Sequence, residues 1–188
     1  MANPNTPFGF RPIIRAGGSP FSINEYGKPA TEPNAIFAFD LVIKAATATP
    51  LPELPLAYNL PGIQSGYQGT PGTSLWLGSS FSYGAASTAS VHPITDEPDV
   101  LFIAQSSPGA VTTAAAAGKN ANVLLTTPGN LLTKMSAMQV NTAGIAVGAA
   151  LDLRIQRIAM IGPNVEGVNA ILEVSINKHA LGLQTAGV

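Results

Sequence analysis

Cysteine is absent from this 188-residue chain, so neither a disulfide framework nor Cys-ligated metal is available to it. Charge is scarce as well. Nine Lys and Arg and ten Asp and Glu make 10% of the residues and a net charge of −1, against about 25% charged residues in ordinary soluble domains. No basic run exists to neutralise phosphates, which argues against nucleic acid as a partner. A surface poor in charge must be covered by small polar and apolar groups or hidden against other molecules. That predicts a subunit of a larger assembly. No apolar window of about 18 residues is free of Gly, Pro and polar breaks, so no membrane-spanning helix is expected. The opening residues, Met-Ala-Asn-Pro-Asn-Thr-Pro-Phe-Gly-Phe, lack a basic stretch followed by an apolar one. This speaks against a signal peptide and for synthesis in a cytosol.

Recognisable catalytic patterns are missing too. The two histidines, His92 and His179, lie far apart, with no second ligand at metal-binding spacing. No metal and no cofactor is therefore expected. There is no Gly-x-Ser-x-Gly elbow, no phosphate-cradling Gly-rich loop with Lys-Ser/Thr, and no Gly-x-Gly-x-x-Gly. One acidic cluster occurs, Asp96-Glu97-Pro98-Asp99. Its proline interrupts the alternating oxygen ligands of a calcium loop, and a solvated turn is the expected reading. A hydrolase using these carboxylates with His92 has no further motif behind it. The expectation is a protein that is not an enzyme.

What is present is apolar and turn-rich. Apolar residues make up 46%, and there are nineteen glycines and sixteen prolines. Such a chain favours short strands, turns and extended segments over long helices. Residues 1–33 hold six prolines and no periodic apolar pattern, which predicts an extended N-terminal arm. Phe8, Phe10, Ile13, Ile14, Phe21 and Tyr26 make it too apolar for a free tail. It must lie on its own domain, on a neighbouring subunit or on a partner.

Residues 34–188 read as a β-rich body with a Pro/Gly-rich insertion at about 47–73. Phe37, Phe39, Leu41 and Ile43 alternate within residues 35–44, which predicts a strand. Residues 74–83 predict one or two strands, and 84–90 a turn. Asp99 to Gln105 predicts a strand buried by its continuous apolar run. Ser106-Ser107-Pro108, the Ala-rich residues 110–117 and Gly118 predict one short helix with its cap and stop. Residues 131–140 fit a helix or a strand. Residues 150–156 and 170–178 alternate cleanly and predict an antiparallel pair, with a bulge where the phase slips at Arg157-Ile158. The expected fold class is mainly β: an antiparallel β-barrel or β-sandwich body with one short helix and an extended N-terminal arm.

Several stretches, in order, resemble one family. Thr6-Pro7-Phe8-Gly9-Phe10-Arg11-Pro12 follows Met-Ala-Asn at the start. Asp96 to Gln105 is an acidic turn leading into an apolar strand. Gly118-Lys119-Asn120-Ala121 follows the short helix, and Leu153-Arg154-Ile155 and Leu172 to His179 form the closing strands. In these the chain resembles the head decoration, or cement, proteins of tailed bacteriophages. That family often carries a small residue, Gly, Asp, Pro and Val on its early strand. Here Ala38-Phe39-Asp40-Leu41-Val42 has Phe for Gly and Leu for Pro.

The resemblance implies a structural virion protein on the capsid exterior, partnered by the major capsid protein and by itself, as a trimer in preference to a dimer. Phe8, Phe10, Arg11, Ile13, Ile14 and Phe21 become candidate arm contacts, and Tyr58 and Tyr67 candidate contacts from the Pro-rich loop. Another virion component, such as a tail tube, an adaptor or a fibre-like module, is the alternative.

Overall fold

The computed structural model describes residues 3–45, 60–126 and 128–182. In chain order the strands are β1 (Arg11–Arg15), β2 (Asn24–Lys28), β3 (Leu41–Lys44), β4 (Ile63–Ser65), β5 (Trp76–Ser80) and β6 (Ser90–Thr95). They continue with β7 (Val100–Gln105), β8 (Asn120–Ala121), β9 (Val123–Leu124), β10 (Gln139–Val140), β11 (Leu153–Ile158) and β12 (Ile171–Ile176). One helical turn, α1 (Thr113–Ala116), follows β7.

Two five-stranded antiparallel sheets carry the fold, ordered β1-β7-β12-β11-β8 and β2-β6-β5-β3-β4. Among the described residues they are not closed into a barrel, which removes one of the two expected architectures. A shared core joins them. Phe102, Leu153, Ile155, Leu172 and Val174 from the first sheet meet Leu41 and Trp76 from the second, with Phe10, Met138 and Val140 among them. Strand alternation sends Val42 and Leu77 to the other face of the second sheet. There they pack with Tyr26, Ile36, Ile63 and Ile94.

The closing strands form as their periodicity predicts. β11 and β12 pair antiparallel, Leu172, Val174 and Ile176 point inward, and the register shifts between Ile155 and Arg157. β7 also forms where expected, but its burial alternates: Val100, Phe102 and Ala104 are buried while Leu101 and Ile103 are half-buried. The continuous apolar run therefore serves one inner face and one partly covered outer face.

Other expectations are corrected. The strand expected over residues 35–44 begins only at Leu41. A turn interrupts it: the Asp40 amide donates to the Phe37 carbonyl, and the Phe37 amide donates to Asp40 Oδ2 at 2.8 Å. The helix is a single turn capped by Thr112, whose hydroxyl accepts from the Ala115 amide, and not by Ser106 or Ser107. Gly118 does stop it, at φ 76. Residues 131–134 form a turn and only Gln139–Val140 are strand. β6 begins at Ser90, inside the stretch read as turn.

The described part of residues 1–33 lies on its own body, with turns near residues 16–18 and 30–31 between its extended stretches. The Asn3 side chain donates to the Val165 and Val168 carbonyls, and Gln105 donates to the Pro4 carbonyl at 2.7 Å. β1 closes one sheet beside β7, and β2 closes the other beside β6.

The acidic cluster fastens this segment and is not merely a solvated turn. Arg15 Nε donates to both Asp99 oxygens at 2.9 and 3.1 Å, and Ser22 donates to Glu97 through its amide and its hydroxyl. Asn24 and the Tyr26 hydroxyl donate to Asp96, the latter at 2.5 Å. Of the Pro/Gly-rich insertion, residues 47–59 lie outside the described residues. Residues 63–65 and 66–68 supply β4 and a 3-10 turn.

Candidate docking surface

Residues 128–137 return to the N-terminal segment and leave an open groove of about 760 Å³ between them. Thr6, Pro7 and Phe8 form one wall, and Pro128, Leu131, Met135 and Ala137 contribute to the other. Its size falls within the range of roughly 300–1,000 Å³ typical of ligand clefts.

The turn that builds the second wall is tightly specified. Asn130 Oδ1 accepts from the Leu132 and Thr133 amides at 2.8 and 3.2 Å, an Asx turn. The Asn130 amide donates to the Met135 carbonyl, and Lys134 adopts φ 60 to close the loop. Two further bonds dock the turn on the body, from the Ala38 amide to the Lys134 carbonyl and from the Ser136 amide to the Ala38 carbonyl. The result pushes Leu131 and Leu132 into solvent, at 64% and 92% exposure. A leucine so exposed at the tip of a well-bonded turn gains about 1.5–3 kcal/mol when a partner covers it.

Aromatic rings continue the surface beside the groove. The Arg11 guanidinium lies over Phe8 and Phe39, 5.5 and 5.0 Å from the ring centres. Phe39 meets Phe81 edge-on, and Phe81 stacks with Phe21 at 6.1 Å. Lys134 Nζ sits 4.2 Å from the Tyr83 ring centre, and Tyr83 contacts Phe37. Phe39 enters this array because its backbone is left-handed, at φ 68, a region that bulky residues rarely occupy. Gly9 packs against the same spot at φ 76, where a Cβ would lie 2.4 Å from the Phe39 carbonyl oxygen and from Ser136 Cβ.

Beneath the array Asp40 is fully buried. Burial pushes its carboxyl up to about 7, although the Ser136 hydroxyl and the Phe37 amide favour its charged form. His92, also fully buried, lies elsewhere in the second sheet. Its Nδ1 faces the Ser80 and Ser82 hydroxyls at 3.0 and 3.1 Å, and its Nε2 faces Ser90 at 2.9 Å. Burial, and then the nearby Lys28 charge, lower it to about 4. The bonds of His92 go to serines, whereas Asp96, Glu97 and Asp99 are bonded to the N-terminal segment. Among the described residues no group of three or more His, Asp and Glu could hold a metal ion.

The candidate contacts from the sequence separate into different roles. Phe8 and Arg11 belong to the groove and its edge, and Phe21 to the ring array. Phe10 is fully buried in the shared core, so it is not an exposed anchor. Ile13 and Ile14 are 41% and 37% exposed on β1, where a register shift between Pro12 and Ile14 disturbs the alternation. Tyr67 lies on the 3-10 turn and packs against the core. Tyr58 lies outside the described residues. Sequence reasoning missed Leu131, Leu132, Met135 and Lys134. Their signal was an apolar pair directly after Pro-Gly-Asn, a turn sequence.

No protein-family model, no curated protein and no solved structure matches this chain.

Proposed function

We propose that this protein is a non-enzymatic structural component of a phage virion, one that binds the outer surface of the capsid and cements neighbouring major capsid protein subunits. The observation that carries this reading is the backbone at position 39. Phe39 sits at φ 68, a conformation that favours glycine. Glycine often stands at this place in the resembled family, just before the same aspartate. The position at which this chain departs from that pattern thus keeps a backbone that suits glycine. The low charge and the exposed Leu131 and Leu132 add support, since both suit a surface that is covered in use.

The reading changes in one respect. The described N-terminal segment is engaged by its own body, so the groove, and not a free arm, is assigned the contact with the shell. A homotrimer remains the preferred assembly, as the resemblance implies, and repeated copies on a lattice gain avidity from modest single contacts.

Purified protein mixed with undecorated capsids tests the proposal. It should co-sediment at a copy number near that of the major capsid protein. A few copies per particle would instead fit an adaptor or tail component, and no association at all would end the capsid reading. Sedimentation velocity of the free protein reads the trimer directly.

A further inference from the structure

Exposed apolar side chains crowd one corner of the molecule. Met160, Ile161, Val165 and Val168 all lie in the loop that joins β11 to β12, and Met160 is 87% exposed. Single exposed apolar residues are ordinary, but four within nine residues make a patch. The loop is firmly bonded. Asn164 Nδ2 donates to the Ala159 and Ile171 carbonyls at 2.8 Å, and its Oδ1 accepts from the Ile171 amide. Gly167 and Val111 exchange both of their backbone bonds, and the Val165 amide donates to Asn3 Oδ1. The apolar groups therefore stand on a fixed frame, and covering them requires little further ordering.

Two hollows adjoin this corner. One, of about 690 Å³, is lined in part by Arg157, Ala159, Met160, Ile161 and Glu166. The other, of about 540 Å³, is lined in part by Ile13, Ile14, Leu101, Arg157 and Glu173. Arg157 lines both, so the hollows are neighbours on one surface. Its Nε and Nη2 bond Glu173 Oε2 at 3.0 Å, while Nη1 is left over on a side chain that is 56% exposed. Glu166, also exposed, accepts from the Thr113 amide, and a carboxylate has acceptor sites to spare. One surface thus offers a protruding Met160 beside two hollows, and a cation with a free donor beside an anion. A strongly charged partner would match only one of the two charges. A second copy of the same surface matches both, because it brings its own Glu166 to Arg157 and its own Met160 to a hollow.

We infer that the β11–β12 loop and the two hollows beside it form the contact between copies of this chain, with Met160 of one copy packing in a hollow of the next and Glu166 of one copy meeting Arg157 of the other. This rests on the homotrimer named above for the number of copies, and it adds the face by which they associate. The 128–137 turn stays free for the shell.

Sedimentation velocity of the full-length chain, from about micromolar to about millimolar concentration, tests this. The wild type should gain mass with concentration. Met160→Asp should stay monomeric, and Met160→Ser should weaken association about ten-fold or more through the lost apolar contact. Glu166→Gln keeps an acceptor for the Thr113 amide and should weaken association a few-fold, a difference that disappears at high salt. Val147→Asp, at an exposed position that lines neither hollow, should associate as the wild type does. An unchanged thermal melt in dilute solution verifies the fold of each variant. A wild type that is monomeric throughout, an oligomer that both Met160 variants leave intact, or one that Val147→Asp removes equally would each overturn the inference.

Capsid sedimentation separates this inference from the reading beneath it. If capsids bind the wild type while the free chain is monomeric at every concentration, the cement role stands and the contact between copies falls. If the chain associates through Met160 but capsids bind none of it, the contact stands and the cement role falls. A dimer that depends on the same residues keeps the contact and removes the trimer.

Discussion

The Arg11 guanidinium lies 5.0 Å from the centre of the Phe39 ring, so an exposed cation is held by a residue whose own backbone is strained. The two effects have opposite signs and can be separated by substitution. Phe39→Ala loses the ring and keeps the strain of φ 68. Phe39→Gly loses the ring and relieves it. Chemical denaturation should therefore find the glycine variant more stable than the alanine variant by about 1 kcal/mol, the reverse of the usual order. Equal stabilities would mean that position 39 carries no strain.

Phe10 gives the largest predicted loss. Its ring is fully buried in the core shared by both sheets, its amide donates to the Phe39 carbonyl at 2.8 Å, and its carbonyl accepts from Ser79 at 2.7 Å. Phe10→Ala should cost about 3–5 kcal/mol in urea unfolding. A loss below about 1 kcal/mol would indicate that the N-terminal segment is not part of the core.

Asp40 and His92 should give opposite pH dependences. The folded Asp40 carboxyl is raised from 3.8 to about 7, so between pH 4 and 7 the folded state holds a proton that the unfolded state releases. Its contribution to stability is full at low pH and is lost as pH rises through that window. Folded His92 is lowered from 6.5 to about 4, so its contribution is full above pH 6.5 and is lost as pH falls. Asp152 and His179 are shifted by burial in the same respective directions. In urea titrations from pH 4.5 to 7.5, Asp40→Asn should make stability rise more steeply with pH than in the wild type. His92→Gln should make it rise less or fall, each by up to about 1.4 kcal/mol per pH unit. Parallel curves for both variants and the wild type would contradict these protonation states.

Leu132→Ser separates binding from folding. The side chain is 92% exposed, so the unfolding free energy should stay within about 0.5 kcal/mol of the wild type. Binding to undecorated capsids should weaken about ten-fold or more through the lost apolar contact. Undiminished binding would remove the 128–137 turn from the interface.

Legibility followed the range of the interactions. β11 and β12 could be read because each buries one face, so polar and apolar residues alternate. The bulge between them could be read because it breaks that alternation. β2 and β6 could not. Asn24-Glu25-Tyr26-Gly27-Lys28 and Ser90-Val91-His92-Pro93-Ile94-Thr95 carry buried polar residues, Lys28 and His92 among them, whose fit depends on distant neighbours. The break at Phe39 was hidden because four alternating apolar residues look like an uninterrupted strand. Only the turn between Phe37 and Asp40 shows otherwise. The groove was hidden for a third reason: its walls come from residues 6–8 and 128–137, and no local pattern joins them.

β1 pairs with β7, and β2 pairs with β6, so each of these early strands waits for a partner made much later. Until Gln105 has emerged, Phe10 has no core to enter and Ile13 and Ile14 have no neighbouring strand. The nascent chain carries that sticky segment until β7 has emerged, the interval in which unpaired strands aggregate. Slow, non-local closure follows from this order. Yield in a foreign host should thus be governed by how quickly the ribosome reaches β7, and by what shields β1 until then.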